Sequence, residues 1–335
     1  MHIPDGYLSP ETCAVLAAAS APALYLAARR LSQESESAVL PRVAMASAFG
    51  FVLQMLNVPV PDGTSAHAVG AALAAILLGP WGGMLAMTVT LVIQALFFGD
   101  GGILALGANV FNMGVLAPAA AYVTYQAVGA GSSAGTRRLV GAVLAGYLSI
   151  NLAALATGIE LGLQPLLFRA ADGTPLYNPY PVELAVPAMM LAHLLVAGPV
   201  EALLTGLIVG YIQRVQPDLL SRHAPGAGGR AWLPLALVLG LLVVLTPLGL
   251  IAQGTPFGEW APEELAALLG YVPQGVAELS GRWSGLLPGY TVPALADVPG
   301  GVVVGYLISA LVGIALVTLT WLILRQILAR PRVRP

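Results

Sequence analysis

The sequence contains no lysine: all 14 of its basic residues are arginine. A phosphate-gripping P-loop depends on its lysine, so ATP hydrolysis by that machinery is excluded, and any ATP-driven work falls to a partner. A single cysteine, Cys13, excludes an internal disulfide and every CxxC redox or metal motif. Charged residues make up only 9% of the chain, against about 25% in a soluble domain, too few to cover a soluble surface of this size. The net charge of −2 offers no basic patch for nucleic acid. There is no HExxH motif and no activated nucleophile, which argues against an intramembrane metal enzyme. The first ten residues have neither a basic start nor an apolar centre, so no signal peptide is expected.

What fills the chain is apolar: 58% of 335 residues are hydrophobic. A spanning helix needs about 20 mostly apolar residues. Nine stretches qualify or come close, at 12–31, 38–57, 66–79, 81–98, 103–129, 138–163, 184–212, 232–252 and 301–324. The third is short and stops at Gly79-Pro80, a strong breaker. Arginine placement supports keeping it. With nine spans, Arg29, Arg30, Arg42, Arg137, Arg138, Arg214, Arg222, Arg230, Arg325, Arg330, Arg332 and Arg334 fall on one side, leaving only Arg169 and Arg282 opposite. The positive-inside rule then sets the N-terminus outside and the C-terminus inside. The expected fold is an all-α polytopic membrane protein: a seven-helix bundle over 1–212, an inner polar linker over 213–231 and a two-helix hairpin over 232–335 with a long outer loop. The outer connections hold most of the acids, including Asp62, Asp100, Glu259, Glu263, Glu264 and Glu278.

The chemistry sits at the N-terminus. His2 is bulky, so Met1 is expected to be retained. A free amine followed at once by histidine is a ready chelate: the Met1 amine, the deprotonated His2 amide nitrogen and the His2 imidazole close fused five- and six-membered rings around one metal. Such tetragonal nitrogen sites favour Ni(II) or Cu(II), and low-spin Co(II) also suits them. Pro4 and Gly6 stiffen and turn the segment behind it, lowering the entropy lost on binding. Of the four histidines, His67 follows an outer loop and lies at the membrane face where a fourth nitrogen is needed. His193 lies mid-span, either as a functional group or as a hydrogen-bonded imidazole between helices, and His223 falls in the linker. Asp5, Asp62, Asn109 and Asn112 are candidates for an outer shell around the ligands. For Gln54, Asn57, Gln94, Asn151, Glu160 and Glu201, helix–helix packing is the favoured reading.

The opening MHIPDGYLSP resembles the start of the CbiM/NikM family, the substrate-binding components of energy-coupling factor (ECF) transporters for cobalt and nickel. HAVGAALAAILLGPWGGMLA from His67, QALFFGDGGILALGANVFNMG from Gln94 and LYNPYPVELAVPAMMLAHL from Leu176 extend the likeness over roughly 1–212. The resemblance implies a seven-helix substrate-binding unit whose Met1, His2 and His67 bind Co(II) or Ni(II). It further implies a transmembrane T-component (CbiQ/NikQ type) and a cytoplasmic ATPase (CbiO/NikO type) as partners, with no cofactor of its own. The C-terminal hairpin resembles the small CbiN/NikN component, implying an auxiliary role in metal loading from outside. The alternative function is a self-contained transition-metal channel or secondary carrier.

Overall fold

The computed structural model describes residues 1–33, 36–61, 63–129, 135–220, 233–252 and 254–328. Asp62, His223, most of the expected linker, and Arg222, Arg230, Arg330, Arg332 and Arg334 lie outside them. Helix α1 (Pro10–Leu31) starts where its sequence says: the Ser9 hydroxyl accepts from the Thr12 N–H at 3.1 Å, Pro10 follows and Glu11 stands in the first turn. Helix α2 (Glu36–Gln54) leads into a two-stranded antiparallel hairpin, β1 (Asn57–Val60) and β2 (Thr64–His67), in which Asn57 faces His67.

Helix α3 (Ala71–Ile93) is broken at Gly79, whose φ of 73° and ψ of 176° are not helical, just before Pro80. The chain doubles back there. A Cβ on Gly83 would stand 2.9 Å from the Ala75 Cα, a contact impossible along one straight helix, where eight residues rise about 12 Å. The leg 71–78 covers about that same 12 Å, far short of a hydrocarbon core of about 30 Å. The third expected stretch is therefore a half-length leg that returns as the fourth, and His67 and Asp100, at its two ends, come to the same place. Helix α3 is the most buried of the membrane-length helices and touches α2, α5, α6 and α8.

A π-helical turn (Gln94–Phe98) ends α3. Helix α4 (Leu106–Asn109), a second π turn (Val110–Leu116) and α5 (Ala117–Gly129) form one leg, and α6 (Thr136–Leu167) the next. Helix α7 (Val182–Ala192), a third π turn (His193–Ala197) and α8 (Gly198–Val215) complete the first unit. Then α9 (Leu233–Leu245) leads to a segment carrying α10 (Pro262–Leu269) and α11 (Gln274–Leu279), and α12 (Gly301–Leu328) follows. Among the described residues seven helices are long and apolar enough to cross a membrane. Ala71–Phe98 unites two of the nine expected stretches, and α2 is not among the seven. The result is a multi-pass, all-α membrane protein.

The second unit packs closely on the first. Helix α12 lies along α2, with the Trp321 indole N–H donating to the Ser47 hydroxyl at 3.0 Å and Gly313 making room for Phe51. The Tyr306 hydroxyl donates to the Met55 carbonyl at 2.8 Å. The indole N–H of Trp283 donates to the carbonyls of Ala95 and Leu96, and Leu286 and Leu287 donate to that of Phe97. These are the carbonyls at the C-terminal end of a helix, which a helix cannot satisfy for itself.

Candidate metal centre

The first residues of the chain are threaded into the bundle: Met1 is 4% exposed and His2 3%. Asn109 clamps Ile3 with both halves of its amide, accepting from the Ile3 N–H at 2.8 Å and donating to the Ile3 carbonyl at 3.1 Å. Asp5 accepts the N–H groups of Ile103 and Ala105 at 3.1 and 3.0 Å. Gly6, at φ 93°, makes the turn behind them and lies directly against Gly275 and Val276. The Ser9 N–H donates to Gln164 at 2.9 Å, and the Tyr7 hydroxyl donates to the Trp260 carbonyl at 2.7 Å. Asn109 thus grips the backbone of the segment, and Asp5 ties the segment to the backbone of the 103–105 loop. Asn112 lies elsewhere, donating to Glu160 at 2.7 Å and Thr157 at 3.1 Å.

Two imidazoles meet at the end of this segment. The His2 and His67 rings stack with centroids 5.1 Å apart and planes 28° apart. His67, 6% exposed, sets its Nδ1 2.9 Å from the Ala68 carbonyl. That contact assigns the proton to Nδ1 and leaves the Nε2 lone pair free. Burial first, then the Met1 amine and His2, hold the His67 pKa well below the usual value, so its ring is neutral and fit to be a ligand. His2 Nε2 stands 3.4 Å from Gln94 Oε1, and Nδ1 stands 3.2 Å from Asp100 Oδ1.

Three groups close a ring with His2. Gln94 donates to the Tyr290 hydroxyl at 3.0 Å, and that hydroxyl donates in turn to Asp100, whose other oxygen faces His2. Burial and the neighbouring Asp100 push the Tyr290 pKa far up, so it stays a donor. Tyr290 adopts φ 62°, a conformation costing about 1–2 kcal/mol for a residue with a side chain. It is held there by stacking on Phe98 at 5.0 Å and by Ser309 donating to its carbonyl at 2.9 Å. The Met1 amine meets Glu259, in the segment between α9 and α12, at 2.7 Å.

A cavity of about 330 Å³ adjoins His67, lined also by Gln54, Asn57, Asp100, Glu259 and Tyr290 among others. At about 30 Å³ per water it has room for a hydrated cation. Glu259 and Tyr290 come from the second unit, so both units build its wall. Among the described residues no three His, Cys, Asp or Glu side chains gather into a metal cage. The nitrogen donors that come together here are the Met1 amine and the imidazoles of His2 and His67. Reading the sequence for ligands does not reach Glu259 or Tyr290, and it assigns Gln94 to helix packing, because all three act through contacts distant in the chain. His193 lies in the third π turn with Nδ1 2.7 Å from the Met189 carbonyl of its own helix.

The family model for the cobalt uptake substrate-specific transmembrane region matches residues 2–219, and that of the PDGLE domain matches residues 230–330. The chain is 47% identical over 334 residues to the fused nickel transport protein NikMN of Rhodobacter capsulatus, covering 95% of each chain. It is 44% identical over 322 residues to the probable fused nickel transport protein LarMN of Lactiplantibacillus plantarum, covering 94% of each. Among solved structures it resembles the crystal structure of a truncated transition metal transporter, with a TM-score of 0.60 and 54% identity over 64% of this chain and 98% of that one.

Proposed function

The chain belongs to the CbiM family of cobalt uptake substrate-specific transmembrane regions, continued by a PDGLE domain, and on that premise we propose that it is the metal-capturing subunit of an ATP-driven importer of Ni(II) or Co(II). The metal is bound by the Met1 amine, the His2 amide nitrogen, His2 Nδ1 and His67 Nε2. The observation that carries this reading is the stacked His2–His67 pair beside a buried N-terminal amine. Four nitrogens in one plane suit these metals. Among the described residues the His2 N–H makes no hydrogen bond, so no partner has to be given up when it deprotonates.

The surrounding groups prepare the site. Glu259 and Asp100 bring negative charge to the cavity and hold the amine and the imidazole in place. Gln94 retains the His2 Nε2–H, freeing Nδ1 for the metal, the usual outer-shell arrangement for a ligating histidine. Binding M(II) releases the amide proton together with any proton carried by the amine or by His2 Nδ1. The proton balance makes affinity fall with acid.

In this reading, residues 1–212 capture the metal, 213–231 form a cytoplasmic linker, and 232–335 close the site from outside. The N-terminus lies outside and the C-terminus inside. A T-component of the CbiQ/NikQ type and an ATPase of the CbiO/NikO type supply the motion and the energy, and the absence of lysine from this chain accords with that division. The test is Ni(II) and Co(II) uptake into vesicles carrying the chain alone or with both partners. Uptake is expected only with partners and ATP. Uptake by the chain alone down a metal or proton gradient would identify a channel or secondary carrier instead.

A further inference from the structure

Helix α8 carries a carboxyl group that the capture scheme does not use. Glu201 stands in the first turn of α8, just after the third π turn, and is 1% exposed. Its Oε2 accepts from the Val69 N–H at 2.7 Å and the Gly70 N–H at 3.0 Å, and its Oε1 accepts from the Gly70 N–H at 3.0 Å. These N–H groups open helix α3, whose N-cap, Gly70, has no side chain to satisfy them and sits at φ 78°. Unpartnered N–H groups at a helix start need an acceptor. Here it comes from another helix, 132 residues further along the chain.

The turn that Glu201 grips is the turn that aims His67. The carbonyl of Ala68 meets His67 Nδ1 at 2.9 Å and so fixes which ring nitrogen is free. The carbonyl of Val69 accepts from Gln54 at 3.1 Å. Residues 68–70 are therefore pinned on both edges, by Gln54 on α2 and by Glu201 on α8, with Ala68 orienting the ring. The π turn leading into α8 packs against both strands of the hairpin that carries His67.

We propose that Glu201 is a positioning residue for metal capture: it holds the 68–70 turn so that His67 Nε2 stands where the fourth metal bond forms, and it thereby ties α8 to metal affinity. The inference rests on His67 being a ligand. A displacement of α8 against α3 opens the clamp, frees the turn and loosens the His67–metal bond, so movement of one transmembrane helix is converted into release. A simple helix cap would stabilise the fold equally whether or not His67 were present.

The test is Ni(II) titration of the full-length chain in detergent, read by calorimetry and by the visible d–d band, on wild type, Glu201→Gln, His67→Ala and the double variant. Glu201→Gln sets an NH₂ donor against a backbone N–H. It is expected to weaken Ni(II) binding by about 10–100-fold, to move the d–d band toward that of His67→Ala, and to add no further loss when His67 is already alanine. Wild-type affinity and band in Glu201→Gln would overturn the inference, as would an equal loss in both backgrounds. Should Glu201→Gln fail to fold, Glu201→Asp carries the test, its carboxyl reaching about 1.5 Å less far. Weaker binding with a moved band supports the role, and an unchanged titration overturns it. Wild-type affinity in His67→Ala would instead remove His67 as a ligand, and the proposed function with it.

Discussion

His2 is held from two sides, by Gln94 at Nε2 and by Asp100 at Nδ1, and Tyr290 bridges these two groups. Removing the bridge disturbs both. Tyr290→Phe keeps the stacking on Phe98 and loses only the hydroxyl. It is expected to weaken Ni(II) binding about 10-fold, the lower end of outer-shell effects, with little change in thermal stability, and calorimetric titration checks it. The pH behaviour of the fold follows from groups outside the spans. Tyr7 and Tyr290 have folded pKa values raised above the tyrosine value of 10.0, burial being the largest cause in each. Their contribution is complete below that value and is lost as pH rises through it, because the unfolded chain then releases protons the folded chain keeps. His67 has the opposite sign: its folded pKa lies below 6.5, so its contribution is complete above that value and falls as pH drops. The melting temperature is thus expected to decline on both sides of neutrality, and melts from pH 5 to 11 measure it. At this scale, Met1, His2 and His67 stand out in the sequence because histidines are few and one is second in the chain. Of their neighbours, Asp100 and Glu259 are legible only as acids of the outer connections, and Gln94 and Tyr290 carry no local signal. Asp5 and Asn109, expected around the ligands, bond to the 103–105 loop and to the Ile3 backbone, and Gly101 lies against both the Asn109 amide and the His2 ring.

Elements shape the site through their irregularities. The reversal of α3 at Gly79-Pro80 brings His67 and Asp100 together, and it is legible as a breaker between two apolar stretches. The reversal depends on close backbone packing between the legs. Gly83→Val would drive a side chain into Ala75 and is expected to destabilise the chain by about 1–3 kcal/mol, the usual range for overpacking, with Ni(II) binding falling in parallel as His67 and Asp100 separate. Thermal melts and titration together check this. A variant that melts like wild type would mean the legs can part without cost. The three π turns, at Gln94, Val110 and His193, are not legible at all, since each adds one residue to a turn without altering composition. Such turns are common at functional sites. Two of the three lie beside the candidate centre: one carries Gln94, and the other packs against the His67 hairpin and leads to Glu201.

Over the whole molecule, both units line one cavity. The segment between α9 and α12 supplies Glu259 to the Met1 amine, Tyr290 to Asp100 and part of the cavity wall, and caps the carbonyls at the end of α3. Charge scarcity and apolar stretches are enough to read a multi-pass bundle with a C-terminal hairpin from the sequence. The way the hairpin's loop closes over the N-terminus is not, because it depends on contacts between residues more than 180 positions apart. All of this converges on the terminal nitrogen. The most direct measurement is Ni(II) and Co(II) content and affinity of the purified chain with its native terminus, against a version carrying one glycine before Met1. The extension shifts the amine by one residue and breaks the fused chelate rings, while every side chain is retained. The account expects one equivalent of metal bound by the native chain and binding lost from the extended one. Equal binding by both would contradict it, because the Met1 amine would then not be a ligand.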